Sequence, residues 1–338
     1  MADSQSAGAS ITIDRDGTVH LGARNIPVPK TISSEAQQYL STPPWGDASP
    51  PPNVPLWDLR TTFESMFKML EGMALSNFPV KIEEKRIGGV RVDLVSPTAV
   101  GEGKQQRILI NLHGGGFVTG SPPALVEAIP IANLTGTRVV TVDYRLAPEH
   151  PFPAAIDDIV AVYKELLKTY RPSNIGIFGS SAGAILTAEA AVRFRQLGLS
   201  LPAALGVFSG SGDLSNLGDS FAMYTLFGFW GQLLRPFDDP RSEFNAYLAN
   251  HDPKDPVVSP IHSDLRGFPP TLLITGTRDF LLSATTIFHR ALRRAGVEAD
   301  LVVFEAMPHC HWLTAIHLPE SKEALRIMAE FFDRKLGG

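Results

Sequence analysis

Gly179-Ser180-Ser181-Ala182-Gly183 stands between the apolar run Asn174-Ile175-Gly176-Ile177-Phe178 and the Ala-rich, helix-favouring run Ala184 to Arg195. A G-x-S-x-G string in a strand–turn–helix setting has the pattern of a nucleophile elbow. Its glycines permit a sharp turn where a Cβ would clash. The turn lifts Ser181 Oγ to the N-terminus of a helix, where orphan N–H groups and the helix dipole favour developing negative charge. An ordinary Gly/Ser-rich turn is the alternative, and the string alone does not separate the two.

A second signal lies upstream. Arg107-Ile108-Leu109-Ile110-Asn111-Leu112 reads as a buried strand that ends in His113-Gly114-Gly115-Gly116-Phe117. Glycines leave bare N–H groups that a substrate can approach, as an oxyanion hole requires, with donors about 2.7–3.1 Å from the developing alkoxide. A flexible loop or a phosphate cradle is the alternative. A phosphate loop ends in Gly-Lys-Ser/Thr, which is missing here. The remaining partners are expected in the order Ser, acid, His. Asp279 follows the strand Thr271 to Gly276, and His309 follows the strand Asp300 to Phe304. Both fall in loops at the C-terminal ends of strands, where open α/β sheets keep their sites. An N-cap for the helix Leu282–Arg294 is the other reading of Asp279. A loop histidine without a task is the other reading of His309, and His311 competes with it.

Taken together, the chain resembles the bacterial branch of the hormone-sensitive lipase family of α/β-hydrolases. The residues that carry the likeness are His113-Gly114-Gly115-Gly116-Phe117, the run Asp143 to Ala155, the elbow, Asp279-Phe280-Leu281 and Met307-Pro308-His309. It spans roughly residues 80 to 335 and is similar, more loosely, to members that hydrolyse monoterpene lactones. Ser180 stands where many members have Asp, and His311 where the family often has Phe. The resemblance implies an α/β-hydrolase fold: a mainly parallel central sheet flanked by helices, under a helical cap. It also implies two-step acyl transfer on an ester or lactone, with no cofactor. Ser181 attacks the carbonyl, His309 moves the proton, and Asp279 orients the imidazole. The N–H groups of Gly115, Gly116 and Ala182 hold the oxyanion, and His113 shapes the loop. Tyr224, Phe227, Trp230 and Trp312 are candidate substrate-binding residues. The same family extends to hormone receptors that keep the fold and lose catalysis, which are expected to lack the histidine. An acyl-enzyme intercepted by an alcohol gives an acyltransferase as a further alternative.

Composition fits an enzyme of this class. The 338 residues are 44% hydrophobic and 19% charged, as in globular proteins and unlike disordered ones. The net charge of −5 and the absence of a long basic run argue against nucleic acid or an anionic membrane as partner. No apolar run reaches the length of about 18 residues expected of a membrane span. The start, Met1-Ala2-Asp3-Ser4-Gln5, lacks the n- and h-regions of a signal peptide. Cys310 is the only cysteine, which excludes an intrachain disulfide and suits a reducing, cytoplasmic setting. It stands beside His309, so bulky thiol reagents are expected to inhibit; a buried, unreactive thiol is the alternative. His309-Cys310-His311 is a poor zinc motif, because adjacent loop residues rarely supply tetrahedral ligands and no second cluster exists; no metal is expected. The expected partner is a small-molecule ester; a homodimer is one option, and the sequence does not give the oligomeric state.

Along the chain, residues 1–80 read as an N-terminal cap region, with a Pro-rich piece from Pro43 to Pro55 and an apolar-periodic segment Leu56–Leu75. Residues 81–212 and 251–338 read as the hydrolase core. Strands are expected at 81–97 (two, broken at Gly88-Gly89), 107–112, 138–142, 174–178 and 203–208, with helices at 124–136, 154–169 and 182–197. Such alternation argues a parallel sheet covered on both faces. Residues 213–250 break the rhythm and read as a cap insert. Within it Phe221 to Leu234 suits either a core helix or a cap element over the site.

Overall fold

The computed structural model describes residues 12–15, 19–20, 25–42, 56–122, 124–229 and 242–337. Eight strands form one sheet: β1 Val80–Ile87, β2 Val90–Pro97, β3 Ile108–Leu112, β4 Arg138–Val142, β5 Ile175–Ser180, β6 Ala204–Phe208, β7 Thr271–Arg278 and β8 Ala299–Pro308. Their spatial order is β8-β7-β6-β5-β3-β4-β2-β1. The six strands from β3 to β8 run parallel, and the β1–β2 hairpin turns at Gly88-Gly89 and joins β4 antiparallel. Strands β3, β5 and β6 are buried along their whole length. That is why they read as continuous apolar runs and not as alternating ones.

Helices cover both faces. Apolar side chains of α4 Ala154–Leu166, α5 Ala182–Gln196 and α8 Leu282–Arg294 pack in one core layer with Ile108, Ile110 and Leu112. Those of α1 Ser34–Ser41, α3 Ala128–Thr135 and α9 Pro319–Lys335 pack in the other with Leu109 and Phe178. The period-two alternation of β3 thus feeds two layers. Helix α1 is held by Ser33, whose N–H and Oγ donate to the Glu320 carboxylate at 2.7 and 2.8 Å while its Oγ caps the Ala36 N–H.

The strand order reverses at β3, whose neighbours are β4 on one side and β5 on the other. Loops leaving β3 and β5 therefore depart to opposite sides, and a crevice opens at their C-terminal ends. Leu112 pairs with Gly179 in register, so the glycine loop and the elbow start side by side.

Several expectations shift. Helix α3 begins at Ala128, four residues later than the apolar pattern suggests. The helical reading of Phe221 to Leu234 fails where it is described. Helix α6 spans only Ser220–Met223, and Thr225 and Gly228 close a tight turn through reciprocal backbone bonds of 2.7 and 3.2 Å. Gly228, at φ 74°, supplies the left-handed residue that ends helical continuation. Residues 230–241, and the Pro-rich piece 43–55, lie outside the described residues. The apolar-periodic segment near residue 60 is a long helix, α2 Leu56–Asn77, and α7 Glu243–Leu248 returns the chain to the core.

Candidate active site

The two outer glycines of the elbow are demanded by backbone approach. A Cβ on Gly179 would lie 2.3 Å from the Leu112 carbonyl oxygen, and one on Gly183 only 1.8 Å from it. Between them Ser181 sits at φ 57°, ψ −123°, a region L residues rarely adopt. Its N–H donates to the Phe208 carbonyl at 2.9 Å, which fixes the turn to β6. Helix α5 starts at once with Ala182, whose N–H has no acceptor within the helix.

Gly115 (φ 119°) and Gly116 (φ 61°) wrap the neighbouring loop. The Gly115 carbonyl accepts from the Val118 and Thr119 N–H groups at 3.1 and 2.9 Å and from Thr119 Oγ1 at 2.9 Å. The turn is thus closed through its carbonyl, and the Gly115 and Gly116 N–H groups have no protein acceptor among the described residues. His113 anchors the loop from below. Its Nδ1–H donates to the Gly114 carbonyl at 2.8 Å, and its ring stacks on Tyr144 at 4.1 Å. Tyr144 Oη donates to the His113 carbonyl at 2.6 Å. Burial pushes His113 down to about 4, so it is neutral at physiological pH. Phe117, at φ 66°, stacks on Tyr247 of α7 at 4.0 Å.

Asp279 is fully buried just past the end of β7 and His309 is nearly so just past β8. The His309 Nδ1–H donates to Asp279 Oδ1 at 2.7 Å, which leaves Nε2 as the free acceptor; it makes no hydrogen bond among the described residues. Asp279 also accepts from the Leu281 N–H at 2.9 Å, from Thr275 Oγ1 at 2.8 Å and from Ser209 Oγ. Burial alone would raise this carboxyl; the facing His309, helped by Ser209 and the Leu281 N–H, more than offsets it and holds the acid below its ordinary value. His311 does not join this group. Its Nδ1–H donates to Ser321 Oγ at 3.0 Å, its ring meets Phe304 and Trp312 edge-on, and burial pushes it down to about 3.

A cavity of about 620 Å³ opens over Ser181 and His309. Its walls are mainly apolar, with Phe63, Met66 and Phe67 from α2 facing Phe227, Phe244 and Phe280. Arg60 clamps α2 over the loop, donating to the Val118 and Ala147 carbonyls at 2.7 and 2.9 Å and to Glu149 at 2.7 Å. Of the four expected pocket residues, Phe227 lines the cavity. Tyr224 does not, because the Thr225–Gly228 turn leaves it packed edge-on against Phe229 at 5.0 Å. Trp312 does not either. It is fully buried beneath the elbow and donates its Nε1–H to Ser180 Oγ at 3.0 Å. Trp230 lies outside the described residues. The Cys310 thiol is buried, and burial with Asp279 and Glu127 nearby pushes it well above the ordinary range. Cys310 also borders the cavity, and its burial and raised thiol favour the unreactive alternative over a reagent-sensitive thiol. Reading the residues in order had missed Thr275, Ser209 and the lining of α2. A Thr four residues before the acid was a visible signal; Ser209, on another strand, gave none.

Among the described residues no three His, Cys, Asp or Glu side chains gather as a metal site, and no helix is long and apolar enough to cross a membrane. Comparison with known proteins places this geometry. A family model described as alpha/beta hydrolase fold matches residues 109–313. An acetyl-hydrolase of Streptomyces hygroscopicus is 33% identical over 234 residues, 68% of this chain and 77% of that protein. The crystal structure of an esterase superposes with a TM-score of 0.81 at 34% identity, covering 94% of this chain and 99% of the other. Another, of an esterase from the bacterial hormone-sensitive lipase family, does so at 0.75 and 34%, covering 85% and 94%. This chain belongs to the bacterial hormone-sensitive lipase family of α/β-hydrolase esterases and is a serine hydrolase of the carboxylesterase type.

Proposed function

We propose that Ser181, His309 and Asp279 form the catalytic triad and that the enzyme hydrolyses short-to-medium acyl esters through an acyl-enzyme. His309 Nε2 takes the proton as Ser181 Oγ attacks the carbonyl carbon. The carbonyl π pair moves onto oxygen, and the Gly115, Gly116 and Ala182 N–H groups stabilise that oxyanion. Removing one such donor typically costs about 3 kcal/mol of transition-state stabilisation. Collapse expels the alcohol, protonated by His309; water, deprotonated by the same imidazole, then releases the acid. Asp279 holds the Nδ1–H tautomer and stabilises the imidazolium.

The observation that carries this reading is the buried 2.7 Å pair of His309 Nδ1 with Asp279 Oδ1, which leaves Nε2 free in the cavity that Ser181 also lines. Residues 1–80 and 213–250 act as the cap, a view supported by α2, Phe227 and Phe244 on the cavity wall. Presence of all three triad residues speaks against a non-catalytic receptor. A panel of p-nitrophenyl esters of increasing chain length, with lactones added and with and without an added alcohol, tests the reading. Hydrolysis that peaks at butyrate to hexanoate supports it. Higher kcat/KM on emulsified long-chain glycerides overturns the substrate range, and mainly transesterified product overturns hydrolysis as the reaction.

A further inference from the structure

Beneath the elbow lies a second buried carboxyl that the triad does not use. Glu127 immediately precedes α3 and is 4% exposed. Its Oε2 accepts from Asn111 Nδ2 at 3.0 Å, and its Oε1 from Ser180 Oγ at 2.5 Å. Ser180 Oγ in turn accepts from Trp312 Nε1 at 3.0 Å. These partners sit at informative places. Asn111 is two residues before the glycine loop, Ser180 is one before the nucleophile, and Trp312 is three after His309. One carboxyl thus joins the three segments that must converge for acyl transfer.

The network reaches further. The Cys310 N–H donates to Ser209 Oγ at 3.4 Å, and Ser209 Oγ donates to Asp279. The histidine loop is therefore tied to the elbow through Trp312 and to the triad acid through Ser209. A carboxyl is costly to bury, and that of Glu127 is pushed up to about 7 by burial, against the pull of Ser180, Asn111 and Trp312. Costly buried polar groups of this kind mark sites where geometry must be held.

We propose that Glu127 is a positioning residue of this esterase, which holds the nucleophile turn and the histidine loop in mutual register through Ser180 and Trp312. The proposal rests on the reading of Ser181 and His309 as nucleophile and base. Glu127 itself moves no proton in the reaction. Without its carboxyl, Ser180 Oγ loses its acceptor, and the Trp312 anchor loosens with it. A displacement of about 1 Å between reacting groups can cost on the order of 100-fold in rate.

The test compares Glu127→Ala, Glu127→Gln and Ser180→Ala on p-nitrophenyl butyrate, with kcat expressed per site titrated by a serine-directed phosphonate. Glu127→Ala is expected to lower kcat about tenfold or more while KM moves by about twofold or less. Glu127→Gln is expected to restore most of kcat, since its amide oxygen accepts from Ser180 and, once the Asn111 amide turns over to present Oδ1 in place of Nδ2, its N–H₂ donates to that oxygen, which has no partner among the described residues. Ser180→Ala is expected to fall like Glu127→Ala, and the double variant no further. Unchanged kcat per titrated site, a change in KM alone, or a Gln variant as poor as Ala would overturn the proposal. If Glu127→Ala does not fold, Ser180→Ala decides alone: kcat per site close to wild type refutes the link. Failure of the triad reading would look different, with the phosphonate on a residue other than Ser181.

Discussion

At the scale of single residues, two histidines two positions apart have opposite surroundings. His309 faces a carboxylate; His311 faces the Ser321 hydroxyl and two aromatic rings and is neutral. His309→Ala is therefore expected to lose about 10³-fold or more in kcat, and His311→Ala far less, with its deficit in unfolding free energy. Steady-state kinetics beside urea melts check this, and the reverse order would mean the wrong histidine has been chosen. Cys310 is a second case. Thiolate is the reactive form, and the surroundings of this thiol keep it protonated. Native enzyme is expected to resist N-ethylmaleimide at pH 8 and to take one equivalent only when unfolded. Rapid labelling with loss of activity would contradict the burial seen here. The residues of the proposed triad could be picked from the sequence because each follows an apolar strand in a fixed order. The fate of Tyr224 and Trp312 was not, since an aromatic near a site in sequence can line a pocket or support its floor. Only the turn at Gly228 and the hydroxyl of Ser180 decide between these.

At the scale of elements, glycines separate into those that a close approach requires and those that only loosen a helix. Gly183 faces the Leu112 carbonyl at a distance no side chain tolerates, because it joins α5 to the end of β3. Gly72 lies within α2 with nothing within 4 Å of an added Cβ. Gly183→Ala is expected to give insoluble or inactive protein. Gly72→Ala is expected to stabilise by roughly 0.5–1 kcal/mol, through helix propensity and reduced freedom of the unfolded chain. Chemical denaturation measures the second; a destabilised Gly72→Ala would show that α2 needs flexibility at that point. The strands and core helices could be read because their apolar periods are long and uninterrupted. The start of α3 and the break after α6 could not; at the second a glycine turn outweighs apolar pattern. Nor could the clamp of Arg60 on the glycine loop be foreseen, as it joins groups far apart in the chain.

At the scale of the whole molecule, the mainly parallel sheet sets the cavity at the reversal of strand order, and α2 with Phe227 and Phe244 walls it. The sheet and its site belong to the part that apolar pattern and motif spacing specify. The walls depend on packing between distant segments, which gives the cavity its volume of about 620 Å³ and its apolar lining. Ester chemistry was therefore readable before the structure, and the shape of the substrate was not. All of this rests on Ser181 Oγ as the attacking atom, presented by a strained turn beside a paired imidazole. The most direct measurement is reaction with a fluorophosphonate followed by peptide mass mapping. The account predicts one adduct per chain, on Ser181, and none in Ser181→Ala, which should also lose hydrolysis. An adduct on Ser180, or a fully active Ser181→Ala, would contradict it.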